Sequence, residues 1–229
     1  MHAPAGEIDR HYRIWVNDDG HFALEYDDVG PLAIVTTQLL NEHIESDLHH
    51  WLATYTRGYL FVHAGCVSWR NRGIVIPGRS YAGKTTLTRA LVEAGATYYS
   101  DDYAVIDHEG MIWPFPRRLH VRPITADPPH KIDPHAENWA IGATPMQALI
   151  VAELRFDHER GWDIEELPQG HGAISLLDNT VAARERPHDS LHLMAKVMRD
   201  AIVIKGTRDS AEVAAQRLLA MANTLLSLD

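Results

Sequence analysis

Gly78-Arg79-Ser80-Tyr81-Ala82-Gly83-Lys84-Thr85 follows directly on the apolar run Gly73-Ile74-Val75-Ile76-Pro77 and leads into Thr86-Leu87-Thr88-Arg89-Ala90-Leu91, where Leu87, Ala90 and Leu91 recur at helical spacing. The octapeptide fits G-x-x-x-x-G-K-[ST], the P-loop or Walker A pattern, and stands where that pattern carries meaning, between a strand and a helix. Gly78 and Gly83 let the backbone turn successive N–H groups inward, and the helix N-terminus adds its own unpaired donors, so the segment forms an anion cradle. Lys84 supplies a point charge for the β- and γ-phosphates of ATP, and the Thr85 hydroxyl a ligand for Mg2+. Gly78, Arg79, Ser80, Tyr81, Ala82, Gly83, Lys84, Thr85 and Thr86 are therefore expected to bind nucleotide. The plain alternative is an ordinary glycine-containing turn.

On either side of the loop the chain reads as hairpins. Residues 60–69 and 73–77 are strand-like and are joined by Arg70-Asn71-Arg72, too short a connection for a helix. A helix is expected from about residue 84 to 93, closing at Gly95, then a strand Thr97-Tyr98-Tyr99 and the doublet Asp101-Asp102. Ala104-Val105-Ile106 and Met111-Ile112-Trp113 form the next hairpin. A parallel neighbour of the loop strand would carry the doublet towards the phosphates, where one carboxylate can hold magnesium and the other can take a proton from a hydroxyl acceptor. Taken alone, the doublet reads as a solvated turn or a helix cap. His63, in Phe61-Val62-His63-Ala64-Gly65-Cys66, would by itself be a satisfied core histidine, but Gly65 permits close approach of a backbone or a ligand beside it. Cys66 reads as a small buried apolar residue.

The opening third alternates short strand-like runs, residues 12–16, 22–26 and 32–35, with turn residues, which predicts an antiparallel meander. Leu40, Ile44, Leu48, Trp51, Leu52 and Tyr55 then mark one face of a helix that ends near Gly58. Residues 114–145 are rich in Pro, His and Arg and lack periodicity, as functional loops do. Beyond them come a strand at 149–156, a hairpin partner at 162–167, helices near 173–183 and 190–199, a strand at 201–204 and a final helix from about Ser210. The expected fold is α/β, a mixed twisted sheet carrying a P-loop, with antiparallel hairpins flanking the nucleotide site and helices packed on the sheet. Residues 1–58 form the N-terminal meander and helix and residues 59–229 the core, read as one continuous domain.

Composition narrows the function classes. Apolar residues make up 45% and charged residues 23% of the 229, which excludes collagen-like and disordered chains. Twenty-one basic against thirty-one acidic residues leave a net charge of −10, a poor match to a polyanion, so nucleic acid is not an expected partner. No apolar run approaches the ~20 residues of a membrane-spanning helix, so no membrane partner is expected either. Cys66 is the single cysteine and Met1-His2-Ala3-Pro4 opens no apolar signal segment, which together predict a cytoplasmic location. Fifteen histidines are the one excess, yet His188 and His192, His49-His50, and His130 with His135 lack a third ligand at a metal spacing.

The order of segments carries a further signal. His63-Ala64-Gly65-Cys66-Val67 before the hairpin, the loop ending in Lys84-Thr85-Thr86 after it, and Tyr99-Ser100-Asp101-Asp102-Tyr103-Ala104-Val105-Ile106 next resemble the catalytic domain of HPr kinase/phosphorylase and its HPr-kinase-related relatives. That group shares its nucleotide core with phosphoenolpyruvate carboxykinase, and the likeness is strongest over residues 60–107. The resemblance implies that His63 stands beside the reaction centre and that Asp101 and Asp102 serve the acceptor base and the magnesium, with Asp101 taken as base and Asp102 as metal ligand. The division between the two stays open. Arg117, Arg118 and Arg122 become candidates for a clamp on the phosphoryl group, the alternative being solvated loop charges. Tyr81 stands where the family usually has glycine, and the family's glycine-rich signature segment and separate N-terminal domain have no clear match in this sequence.

The resemblance therefore implies an ATP- and Mg2+-dependent kinase with a hydroxyl acceptor, serine on a peptide or small protein other than HPr. A nucleotide-binding regulatory module without transfer activity and a small-molecule kinase are the competing readings, and a homo-oligomer is left open.

Overall fold

The computed structural model describes residues 10–27, 29–78, 82–121 and 130–228. They fall into two compact units, Met1–Leu52 and Ala53–Asp229. Arg79, Ser80, Tyr81 and Arg122 lie outside the described residues.

In the first unit β1 (Tyr12–Val16), β2 (Phe22–Tyr26) and β3 (Val29–Ile34) pair antiparallel in that order, the meander that alternation and turn residues predict. Helix α1 (Thr37–Tyr55) starts after Thr36, whose Oγ1 accepts from the Leu39 N–H, and lays Leu40 and Ile44 against Leu24 and Ile34. The buried stripe is narrower than the apolar one: Leu48 remains 39% exposed and Tyr55 63%.

The second unit is built on strands β4 (Tyr59–Trp69), β5 (Arg72–Pro77), β6 (Thr97–Ser100), β7 (Tyr103–Asp107), β8 (Ile112–Trp113), β9 (Leu119–Val121), β10 (His130–Ile132), β11 (Gln147–Phe156), β12 (Asp163–Leu167) and β13 (Ile202–Arg208). Its helices are α2 (Lys84–Glu93), α3 (Gln169–Asp178), α4 (Pro187–Val197) and α5 (Ala211–Leu226). The main sheet runs β12-β13-β11-β5-β4-β7-β8, with β6 also on β4. β5, β11 and β13 are mutually parallel and the remaining pairs antiparallel, so the fold is mixed α/β.

Strand alternation sorts the core into two layers. Ile74, Ile76, Ile150, Ala152 and Ile204 pack with Leu87 and Leu91 of α2 and Ala214 and Leu218 of α5. Val75, Val151 and Val203, one residue out of phase, pack with Leu176 of α3 and Leu193 and Met194 of α4. Both faces are thus covered, as near-continuous apolar runs in β5 and β11 require. Cys66 is fully buried in the second layer and its thiol pKa is pushed up by that burial.

Local signals account for the turns. Arg70 and Asn71 both take positive φ, 48° and 65°, closing the β4–β5 hairpin as a two-residue turn whose twist matches its strands. Ser210 Oγ accepts from the Val213 N–H and starts α5. Three expectations change. β12 is not the hairpin partner of β11 but pairs antiparallel with β13, because β11 already has a parallel neighbour on each edge. Its half-exposed residues suit the sheet edge that it occupies. Within residues 114–145, β9 and β10 pair as a small separate sheet. The helices expected at 173–183 and 190–199 begin earlier, α4 because Pro187 fits a first helical turn. Among the described residues no helix is long and apolar enough to cross a membrane.

Helix α2 is set close against β4 at Gly65, where an added Cβ would stand 2.2 Å from Thr88 Oγ1. The close approach that this glycine permits is thus by a helix side chain, and Thr88 is fully buried. Gly65→Ala is expected to lower the unfolding free energy by about 1–3 kcal/mol in urea titration. An unchanged midpoint would mean that α2 can move off the strand without cost.

Candidate functional site

Three segments meet at the middle of β4. On one edge Ala64 faces Pro77, the last residue of β5, so the loop leaves beside His63 and the Gly78 N–H donates to the His63 carbonyl at 3.4 Å. On the other edge β6 ends with Ser100 opposite Cys66, and β7 begins with Tyr103 opposite His63. Asp101 and Asp102 fill the break between them, and the Asp102 carbonyl accepts from the Ala64 N–H at 3.1 Å. Ser100 Oγ fixes the corner by accepting from the N–H groups of Asp102 and Tyr103. β6 runs parallel to β5 as the sequence predicts, but β4 lies between them, so the acid doublet faces the loop across one strand.

The loop enters α2 through Gly83, whose φ of 82° is left-handed. Lys84 Nζ donates to the Gly78 carbonyl at 2.7 Å, tying the two ends of the loop together. Burial lowers the Lys84 pKa, and the charges of Asp102 and Asp101 pull it back up. One residue on, Thr85 Oγ1 donates to Asp101 Oδ2 at 3.2 Å.

The two carboxylates sit in unlike surroundings. Asp101 is 7% exposed, and burial first, then the charge of Asp102, push its pKa up to about 6 against the pull of Thr85, Arg117 and Tyr98. The Tyr98 hydroxyl donates to the Arg117 carbonyl at 2.9 Å and lies 3.4 Å from Asp101 Oδ1. The Asp102 side chain is open, with 42% of its surface exposed. Arg117 Nη1 donates to its Oδ2 at 2.5 Å, and His63 Nδ1 stands 3.7 Å from its Oδ1. Burial acts to raise the Asp102 pKa, but His63, Arg117 and Lys84 outweigh it and hold the group below the usual carboxylate range. Tyr103 stacks on the His63 ring, centroids 4.6 Å apart, and steadies it.

His63, Lys84, Thr85, Asp101, Asp102 and Arg117 are therefore brought together. Arg118 is not: it points to Asp133 at 3.3 Å and is mostly exposed. Thr86 is exposed in the first turn of α2, and Ala82 and Gly83 are half-buried in the loop. Two neighbours of the site escape a sequence reading. Tyr98 looks like an ordinary strand aromatic, and Arg208, 3% exposed, reaches the Gly83 carbonyl from 125 positions downstream. The only hint of Arg208 is a basic residue placed between an apolar strand and the capping Ser210.

Thr85 Oγ1 and Asp101 offer adjacent hard oxygens, the donor chemistry that magnesium takes when phosphates and water complete its shell. Among the described residues no group of three or more His, Cys, Asp or Glu is placed to hold a metal ion. Compared with known proteins, the chain matches no family model, no curated protein and no solved structure.

The raised pKa of Asp101 has a thermodynamic consequence. The folded state keeps this proton up to about pH 6, whereas the unfolded chain releases it near pH 4, so folding loses stability as pH rises through that window. Asp101→Asn removes the group, and without ligand it should be more stable than the parent at pH 7 by on the order of 2 kcal/mol, with the difference shrinking towards pH 4. Denaturant titrations across that range measure it. Parallel curves for the two proteins would contradict the burial of an ionisable Asp101.

Proposed function

We propose that the protein is an ATP- and magnesium-dependent kinase that transfers the γ-phosphoryl group to a hydroxyl. The acceptor class favoured by the likeness to HPr-kinase-related enzymes is serine of a peptide or small protein. One observation carries this reading: a loop of phosphate-binding sequence and a carboxylate pair in unlike environments meet across β4, tied by the Thr85–Asp101 hydrogen bond. Bound magnesium nucleotide would supply the phosphoryl group and neutralise part of its charge.

The chain's own residues then divide the work. Lys84, held over the loop by the Gly78 carbonyl, provides a desolvated cation for the phosphates. Thr85 and Asp101 provide the metal's protein oxygens. A general base must reach the acceptor hydroxyl, and of the two carboxylates only Asp102 is open enough to do so. The surroundings thus support Asp102 as base and Asp101 as metal partner, the reverse of the division taken from the sequence. Asp102 would accept the hydroxyl proton as the acceptor oxygen bonds to the γ-phosphorus and the bond from that phosphorus to the bridging oxygen breaks, releasing the nucleoside diphosphate. His63, with Nδ1 3.7 Å from Asp102 Oδ1, would steady the carboxylate and pass the proton on to water. Arg117, already on Asp102, adds positive charge beside the transferred group.

That same Arg117–Asp102 pair favours a second reading, nucleotide binding without transfer, since a carboxylate held by guanidinium is a weaker base. Labelling with γ-labelled ATP, magnesium and extract of the source cells separates the two. Asp102→Asn is expected to keep ATP affinity within a few-fold and to lose transfer by about 100-fold or more, while Asp101→Asn raises the magnesium requirement by about tenfold. Labelling by Asp102→Asn at the parent rate would return the base role to Asp101. ATP binding by the parent protein with no acceptor labelled would favour the second reading.

A further inference from the structure

Arg208 is the residue the proposed chemistry leaves unexplained. It is 3% exposed at the end of β13, where Nη2 donates to the Gly83 carbonyl at 3.2 Å and Nη1 to the Asp209 carbonyl at 3.0 Å. Its Nε has no hydrogen-bond partner among the described residues. No carboxylate among the described residues comes within ion-pair distance; Asp209 and Glu212 act on it only through space. A buried guanidinium without a counter-anion is costly, because desolvation is not repaid by an ion pair.

Its position adds to that cost. Gly83 is the N-cap of the ten-residue helix α2, so the charge sits against the positive end of a helix, where cations are disfavoured and anions favoured. An added Cβ on Gly83 would lie 2.5 Å from Arg208 Nη2, so that glycine is the residue that admits the guanidinium. The topology also places it at a ligand edge: β5, β11 and β13 are parallel, and their C-terminal ends carry Pro77, Phe156 and Arg208 along one side of the sheet. In parallel α/β sheets ligands bind beyond that edge.

An anion at the N-terminus of α2 relieves both costs at once. We infer that Arg208 is a buried counter-charge for a polyphosphate anion held at the N-terminus of α2, acting from behind the Gly83 carbonyl. It raises affinity for the phosphate chain and orients the Gly83–Lys84 peptide without touching the nucleoside. The trans peptide geometry is compatible with the second role, since the Gly83 carbonyl, held by the Leu87 N–H at 3.1 Å together with Arg208, turns the Lys84 N–H the opposite way. This inference rests on the nucleotide reading of the loop and extends it to a residue outside the motif.

The test uses the full chain with three probes, ATP, inorganic tripolyphosphate and adenosine, in calorimetric titrations, together with thermal unfolding in the absence of ligand. Arg208→Met is expected to weaken ATP and tripolyphosphate by about tenfold or more and to leave adenosine unchanged. Its ligand-free melting temperature should be equal to or above that of the parent, because a buried charge without an ion-pair partner among the described residues has been removed. Arg208→Lys, which keeps the charge, should recover most of the lost affinity.

Failure of Arg208→Met to fold, or a lower ligand-free melting temperature with unchanged tripolyphosphate affinity, would make Arg208 a structural strut and overturn the inference. So would a loss confined to ATP with tripolyphosphate unaffected, which would move its action to the nucleoside. If the parent protein binds neither ATP nor tripolyphosphate, the nucleotide reading falls and this inference falls with it. If the parent binds both and Arg208→Met matches it, only this inference falls.

Discussion

Strand β4 holds its neighbours in one register, and the site exists because of that register. Ala64 is paired with the end of β5 on one side and hydrogen-bonded to the Asp102 carbonyl on the other. The end of β5 and the acid doublet are thus fixed at the same level of the sheet by backbone hydrogen bonds rather than by flexible side chains. Gly65 lets α2 come down on β4, which brings Lys84 and Thr85 to the same place. A one-residue slip of β4 would turn its buried side chains to the opposite face and separate the loop from the doublet. Both core layers resist it, since Val62, Cys66 and Val67 are fully buried.

Electrostatics then differentiates what the backbone has assembled. Neighbouring residues of one chemistry, Asp101 and Asp102, acquire opposite shifts because one is enclosed and the other faces His63, Arg117 and Lys84. Although the chain's net charge is −10, Lys84, Arg208 and the N-terminus of α2 place positive charge at the start of that helix. Burying Asp101 as a charged group costs the folded protein stability as pH rises through about 6.

Much of this was legible in the chain. Arg70-Asn71 announces a tight hairpin, the G-x-x-x-x-G-K-[ST] spacing places a loop between β5 and α2, and alternation sorts Ile74 and Ile76 from Val75. These are local signals, in which residues a few positions apart decide the outcome. Partnership between distant strands is not local: nothing in Asp163–Leu167 says that its neighbour is β13 rather than β11, only that it is half-exposed. Arg208 was illegible for the same reason, since its meaning depends on Gly83 lying beside it in the fold. The unlike surroundings of the doublet were hidden too, because burial distinguishes Asp101 from Asp102 and adjacent positions in a sequence do not.

The most direct test of the account is a crystal structure with magnesium and a non-hydrolysable ATP analogue. The phosphates are expected over the N-terminus of α2 with Lys84 on the terminal phosphate, the metal on Thr85 Oγ1 with Asp101 as its nearer carboxylate, and Asp102 open towards the acceptor side. An analogue bound away from residues 78–85, or a metal held by Asp102 with Asp101 still bonded to Thr85, would contradict it.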